Sequence, residues 1–235
     1  MRTRAVGATL AVMAAALVTA GPTTGQSSAS AEAHVAAAKA AAGTDFAGVF
    51  NRICAEAVPP ATPPAPRPAT PRPAGPPPRE SWHAEPARVF DNLYFLGQTE
   101  YSVWAVTTSA GIILIDAIFD YSVDDEVVGG LKKLGLDPAT IKYVVISHGH
   151  SDHSGGAKYL QDRFNARVIL TAADWDLLDR SNGTKPRRDM VAVDGQKLTL
   201  GDTTLTLYNT PGHTMGTLST LIPVTDHGTR HIAAS

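Results

Sequence analysis

The sequence is poor in cysteine, in net charge and in long apolar runs, and each shortage excludes a class of protein. Cys54 is the only cysteine among 235 residues, so no disulfide can form within the chain, and we expect this thiol to be incidental. The formal net charge of −2 indicates no nucleic-acid partner. Beyond residue 31 no apolar run is long enough to cross a bilayer, so we expect no membrane span in the mature protein.

The first 31 residues have the pattern of an export signal. Arg2 and Arg4 precede an apolar run from residue 5 to residue 20, and Ala29-Ser30-Ala31 offers a small-residue cleavage site. The apolar run is too short for a typical membrane span. We therefore predict a signal peptide over 1–31 and a secreted or periplasmic mature protein.

Residues 32–87 are rich first in alanine and then in proline. Eleven of the 17 prolines fall within 58–79, where proline removes backbone donors and favours extended geometry. We predict one short helix near 45–57, a largely disordered linker and no catalytic residue in this extension. Trp82 stands among polar residues and is expected to dock the end of the linker on the following domain.

Strand patterns come first as a meander from about residue 88 onward, and then alternate with helical patterns. Strands are predicted at 92–96, 103–107, 112–116, 141–146, 167–170, 197–200, 203–208, 217–223 and 231–234. Helices are predicted at 124–134, after residue 153 to about 164, and at 172–178. This order predicts an α/β domain over 88–235 in which helices cover sheets.

The most informative segment contains His148, His150, Asp152 and His153. It follows a buried-strand pattern at 143–146 and precedes a pair of glycines. In extended backbone His148 and His150 point the same way and Asp152 continues that face, so one loop can present ligands to two cations. Imidazole and carboxylate suit zinc, with iron or manganese as alternatives. Simple packing explains the cluster poorly, because buried charge is costly unless paired or metal-bound.

Other polar residues receive weaker assignments. His213, in the segment Thr210-Pro211-Gly212-His213-Thr214 after another strand pattern, is a fifth candidate ligand. The basic residues Lys185, Arg187 and Arg188 are expected in a solvated loop. The alternative is that they bind an anionic group of the substrate.

Together, the two motifs resemble those of the metallo-β-lactamase superfamily over residues 88–235. The pattern is similar to that of the lactamase subclass whose metal ligands are only His and Asp. The resemblance implies a four-layer αββα sandwich, a first zinc ion held by His148, His150 and His213, and a second held in part by Asp152 and His153. It further implies that Asp116 braces a metal-ligating histidine, with capping of a strand end in solvent as the alternative.

Two features of that family have no counterpart in this sequence. Members usually carry a further histidine near the C-terminus, and many carry a Gly-Asp pair whose carboxylate bridges both metals. His227 and His231 lie in or beside a polar turn and are expected to be surface residues. The domain is therefore predicted to be truncated at its C-terminus, with the second metal site incomplete.

The resemblance implies a hydrolase in which a zinc-activated hydroxide attacks a carbonyl, while Asp152 orients the nucleophile and shuttles its proton. A β-lactam amide is the first substrate expected, because of the ligand pattern and the export signal. A lactone, ester or thioester fits the ligands equally well. A non-catalytic metal-binding remnant is the alternative from another class, and a di-iron redox enzyme is a weaker one. The expected partner is a small-molecule substrate, and no oligomeric state is predicted.

Overall fold

The computed structural model describes residues 30–54 and 75–235. Nearly all of the predicted signal peptide, and most of the proline-rich stretch, lie outside these ranges. The chain divides into two compact units, Met1–Ala69 and Thr70–Ser235. The second unit begins before residue 88, where the sequence predicted the start of the folded domain.

The described part of the first unit consists of two helices. Helix α1 spans Ala31–Ala42 and helix α2 spans Ala47–Ile53, and neither buries a residue. The Ser30 side chain caps α1 by accepting a hydrogen bond from the Ala33 amide at 3.3 Å. Helix α2 lies within the predicted short helix, whereas α1 lies where the sequence predicted mostly disorder. No helix in the described ranges is long and apolar enough to cross a membrane.

The second unit begins with an arm that packs on the domain before the first strand. A 3-10 turn over Arg79–Ser81 leads to Trp82, which is buried. The indole Nε1 donates to Pro77 O at 3.0 Å, and the ring meets Tyr121 edge-on at 5.6 Å. The predicted docking of Trp82 is therefore confirmed.

A buried carboxylate on the domain binds this arm through hydrogen bonds. Glu126 is 3 % exposed and accepts hydrogen bonds from Arg79 at 3.0 Å and from His83 Nδ1 at 2.8 Å. His83 also contacts Glu85, which pairs with Lys133 at 3.1 Å. Hydrogen bonds to Glu85 and to Glu126 raise the pKa of His83.

Seven strands form the larger sheet and lie in sequence order. The first four form an antiparallel meander, and β4 to β7 run parallel to one another. The strands are β1 (Ala87–Phe90), β2 (Leu93–Gly97), β3 (Ser102–Thr108), β4 (Gly111–Ile115), β5 (Ile141–Val145), β6 (Arg167–Thr171) and β7 (Met190–Ala192).

Four antiparallel strands form the second sheet, in the order β11-β10-β9-β8. They are β8 (Gln196–Leu200), β9 (Thr203–Asn209), β10 (Leu218–Asp226) and β11 (Thr229–Ala234). Two-residue turns join β8 to β9, at Gly201-Asp202, and β10 to β11, at His227-Gly228. In the second, His227 and Gly228 both have positive φ, as the tight connection between twisted strands requires.

Helices cover one face of the larger sheet, and the second sheet covers the other. A π-helical segment, Val123–Val128, runs into α3 (Gly129–Lys133), and the later helices are α4 (Ser151–Ser154), α5 (Ala157–Phe164) and α6 (Ala172–Arg180). Side chains of β4 alternate between the two interfaces: Ile112 and Leu114 face the helices, whereas Ile113 and Ile115 face the second sheet. This layering of helix on sheet on sheet agrees with the predicted sandwich, and the described residues of this unit supply three of its four layers.

Two strands were not predicted, and both have weak sequence patterns. Strand β7 has three residues, too few for an apolar alternation to register. Strand β1 is largely exposed, so its sequence does not read as buried. The other predicted elements of the second unit are present, with ends shifted by a few residues at most.

We predict that Glu126→Gln lowers the free energy of unfolding by about 1–3 kcal/mol, because charged hydrogen bonds to Arg79 and His83 are lost. The raised pKa of His83 means that its share of this stabilisation is complete below about pH 6.5 and is lost as pH rises through the folded-state value. Urea unfolding at about pH 6 and about pH 9 measures both effects. The exposed Asp125→Asn, next to Glu126 in the same segment, is the matched control, and an equal loss in that variant would contradict the prediction.

Candidate metal centre

The parallel strands β4, β5 and β6 deliver polar loops to the same edge of the larger sheet. Asp116 directly follows β4, and its amide donates to Val145 O at the end of β5. The Ile146 amide continues the ladder by donating to Ile169 O on β6. Because carboxyl ends of parallel strands coincide, the residues that follow these strands are held side by side.

The histidine-rich segment follows β5 and turns directly into α4. His148 is buried, and His150 has the extended backbone of a helix-capping residue. Asp152 and His153 lie in the short helix that follows. His150 therefore has the predicted extended backbone, whereas Gly149 lies in a bend and the helix carries Asp152 and His153 toward a second position.

His213 reaches the same place from the other sheet. It lies between β9 and β10, in a loop closed by a hydrogen bond from the Thr210 amide to Thr217 O. The Leu218 amide donates to Ser147 O at 2.7 Å, which ties this loop to the segment that precedes His148. One backbone hydrogen bond thus joins the two sheets next to the candidate ligands.

His148, His150 and His213 form a compact group of ligand atoms. One nitrogen of each lies within 4.8 Å of those of the other two. The His148 ring lies 4.9 Å from that of His150 and 4.6 Å from that of His213, and His150 Nδ1 is 3.0 Å from His213 Nε2. Three imidazoles at this spacing match the ligand set of a catalytic zinc site.

Asp152 and His153 form a second group, which His148 also borders. Their ligand atoms lie within 4.8 Å of one another and of a His148 nitrogen. His153 Nε2 is 3.7 Å from Asp152 Oδ2, and the His148 and His153 rings are 4.1 Å apart. The family resemblance assigned His148, His150 and His213 to one metal ion and Asp152 and His153 to another, and the structure brings all five together.

The Asp116 carboxylate contacts the ring nitrogen of His153 that does not face Asp152. Its Oδ2 lies 2.7 Å from His153 Nδ1, which leaves Nε2 facing Asp152. Ser147 holds Asp116 in turn, because its amide donates to Oδ1 at 2.6 Å and its hydroxyl donates to Oδ2 at 2.9 Å. Asp116 is 5 % exposed, so a strand-capping role in solvent does not describe it. Ser147 was missed by the sequence reasoning, since a serine between strand and motif carries no distinctive signal.

The backbone around Asp116 is strained and is supported by close packing. Asp116 and Ile118 have φ of 67° and 45°; aspartate tolerates positive φ better than most residues, whereas the β-branched Ile118 is a clear outlier there. The Gly156 amide donates to Ile118 O at 2.9 Å, and a Cβ at Gly156 would collide with Ala117 O and with Val123. Because Gly156 has no side chain, the loop that carries Asp116 can pack directly against its backbone.

The protonation of His148 and His153 differs because their surroundings differ. Burial, together with the neighbouring His153, lowers the pKa of His148 to about 4, so its ring is neutral near pH 7. Burial also acts on His153, but the hydrogen bond and charge of Asp116, with Asp152, outweigh it and raise its pKa. His148 Nε2 is buried and has no hydrogen-bond partner among the described residues. A neutral imidazole with an unpartnered buried nitrogen suits a metal ion, and the group fits one.

The remaining candidates lie outside this group. Arg188 pairs with Asp176 at 3.1 Å and Lys185 donates to Asp179 O, as expected for a solvated loop. His227 and His231 are exposed on the β10–β11 hairpin, as predicted. Cys54 follows α2 and belongs to neither group of potential ligands found among the described residues.

Comparison with known proteins gives consistent matches. The metallo-beta-lactamase superfamily model matches residues 96–226. A hydroxyacylglutathione hydrolase from Acidiphilium cryptum is 38% identical over 76 residues, covering 32% of this chain and 28% of that protein. An N-acyl homoserine lactonase, AttM, from Azorhizobium caulinodans is 33% identical over 122 residues, covering 45% and 44%.

Solved structures extend this likeness to the fold. BJP-1, a subclass B3 metallo-beta-lactamase of Bradyrhizobium japonicum, superposes with a TM-score of 0.59 at 30% identity, covering 64% of this chain and 61% of that one. The chain spans less than two thirds of each of these three proteins. The family match nevertheless includes more than half of the chain and both histidine motifs. The chain belongs to the metallo-beta-lactamase superfamily.

Proposed function

We propose that this chain is an exported, zinc-dependent hydrolase that cleaves a carbonyl compound. The observation that carries the proposal is the buried, neutral His148, whose Nε2 has no partner among the described residues and lies beside His150 and His213. An unsatisfied buried nitrogen costs free energy unless a ligand completes it. Export rests on the signal pattern of residues 1–31, and we propose that the mature protein is secreted or periplasmic.

The five candidate ligands have separate roles in this proposal. His148, His150 and His213 hold the first ion, and Asp152 with His153 holds part of the second. A bound zinc ion supplies a Lewis acid and lowers the pKa of water to about 7. Asp116, itself held by Ser147, fixes the His153 ring so that Nε2 faces the site. Asp152 is partly exposed, so its carboxylate can orient the attacking water and take its proton.

A β-lactam amide is the substrate class that we propose first. Support comes from the ligand set, which contains only His and Asp, and from the similarity to subclass B3 lactamases over about two thirds of this chain. A lactone or thioester is the second candidate. It is supported by the similarity to the lactonase and to the hydroxyacylglutathione hydrolase, each of which matches a segment containing fewer than half of this chain's residues.

The first prediction concerns metal content. Purified, dialysed wild-type protein should retain at least one zinc ion per chain. His148→Ala should lose this zinc, because among the described residues His148 is the one that belongs to both groups of candidate ligands. Elemental mass spectrometry measures the ratio of zinc to protein. His227→Ala removes an exposed histidine and should leave the ratio unchanged. Zinc retained in His148→Ala would defeat the ligand assignment.

The second prediction concerns turnover. We expect the zinc-loaded protein to hydrolyse a chromogenic cephalosporin, to lose this activity in a strong chelator and to regain it with added zinc. Parallel assays with an acyl homoserine lactone and an acyl-glutathione thioester separate the two substrate candidates. Zinc-loaded protein that cleaves none of the three would favour the metal-binding remnant over the enzyme.

A further inference from the structure

Asp174 is a buried carboxylate that the catalytic proposal does not use. It is 1 % exposed and lies in the first turn of α6, directly after β6. Buried carboxylates are costly unless hydrogen-bonded or paired, so its contacts are informative. A negative charge in the first helical turn also interacts favourably with the helix dipole.

Both loops that carry the candidate ligands donate hydrogen bonds to this one carboxylate. The Gly149 amide, between His148 and His150, donates to Oδ2 at 2.8 Å. The Thr214 hydroxyl, next to His213, donates to the same oxygen at 2.8 Å. The Gly216 amide donates to Oδ1 at 3.1 Å. Asp174 therefore connects the loop after β5 with the loop between β9 and β10, which belong to different sheets.

The start of α6 makes a further contact with the second loop. Thr171 caps the helix by accepting from the Asp174 amide at 3.4 Å, and its hydroxyl donates to Gly216 O at 2.9 Å. Gly216 is held so closely that a Cβ there would collide with Thr171 Oγ1 and with the Asp174 carboxylate. The loop that carries His213 is thus seated directly on the helix start.

We propose that Asp174 is a positioning residue that sets the separation between His213 and the pair His148 and His150. The proposal rests on the proposed function, because the separation matters only if the three histidines share a metal ion. An ionised carboxylate accepts at both oxygens, which suits a site where every neighbour is a donor. An amide at this position would turn an N–H toward at least one of the three donors, and one loop would be displaced.

The test compares Asp174→Asn with Asp176→Asn. Both change a carboxylate to an amide of the same shape on the same helix, but Asp176 is exposed and its side chain hydrogen-bonds only to Arg188 among the described residues. Thr214→Val is a milder variant, since it removes one donor to Asp174 and keeps the side-chain size. It keeps the proposal testable if Asp174→Asn does not fold, which circular dichroism reports.

The first readout needs no metal. Amide hydrogen exchange on the metal-free protein should show lower protection at Gly149 and Gly216 in Asp174→Asn, with core strands such as β4 unchanged. Asp176→Asn should match the wild type. Unchanged protection of both glycines in Asp174→Asn would overturn the proposal. If that variant does not fold, Thr214→Val is tested by metal binding instead, because its Gly149 and Gly216 amides still donate to Asp174, and an unchanged zinc Kd then overturns the proposal.

The second readout is metal binding. Competition with a chromophoric chelator should give a zinc Kd about 10–100-fold higher in Asp174→Asn, the range observed when residues supporting metal ligands are changed. The visible spectrum of the cobalt form should change in shape, because the ligand geometry changes rather than the fold. A wild-type Kd and spectrum would overturn the proposal. If wild-type protein bound no metal, the proposed function would fail, while the exchange data would still decide whether Asp174 holds the two loops.

Discussion

The parallel run of β4, β5 and β6 is the constraint on which the rest of the structure depends. Each strand is buried on both faces, by helices on one side and by the second sheet on the other. Burial therefore fixes their register, since a slip of one residue would exchange the two sets of apolar side chains. Because the strands run the same way, Asp116, His148 and Asp174 follow them at the same edge of the sheet. The packing of the parallel strands thus places these polar residues at one edge of the sheet.

The candidate metal centre lies where that edge meets the second sheet. Four of its five candidate ligands follow β5 of the larger sheet, whereas His213 comes from the β9–β10 loop, so the site forms only when the sheets are packed together. A backbone hydrogen bond from Leu218 to Ser147 joins the sheets there. His148 is neutral and buried, while Asp116 supports a charged form of His153. Neighbouring imidazoles with opposite pKa shifts indicate a site built for more than packing.

Much of this could be predicted from the sequence, for identifiable physical reasons. Apolar strands such as β4 and the spacing from His148 to His153 are local patterns; the strand was confirmed, and the structure brings the predicted ligands together. Ser147 and Asp174 could not be found in this way, because their roles depend on partners far along the chain. The pattern Thr171-x-x-Asp174 matches a helix capping box, yet the carboxylate turns toward the ligand loops. Glu126 is similarly hidden in a run of three acidic residues whose two other members are exposed.

X-ray absorption at the zinc edge of the zinc-loaded full chain tests the central claim, that histidine and aspartate side chains of the two motifs bind the metal. The account predicts only nitrogen and oxygen neighbours, at about 2.0–2.2 Å, with outer-shell scattering from imidazole rings. That imidazole signal should weaken in His213→Ala. A sulfur neighbour at about 2.3 Å, which only Cys54 or a methionine could supply, or the absence of imidazole scattering would contradict the account.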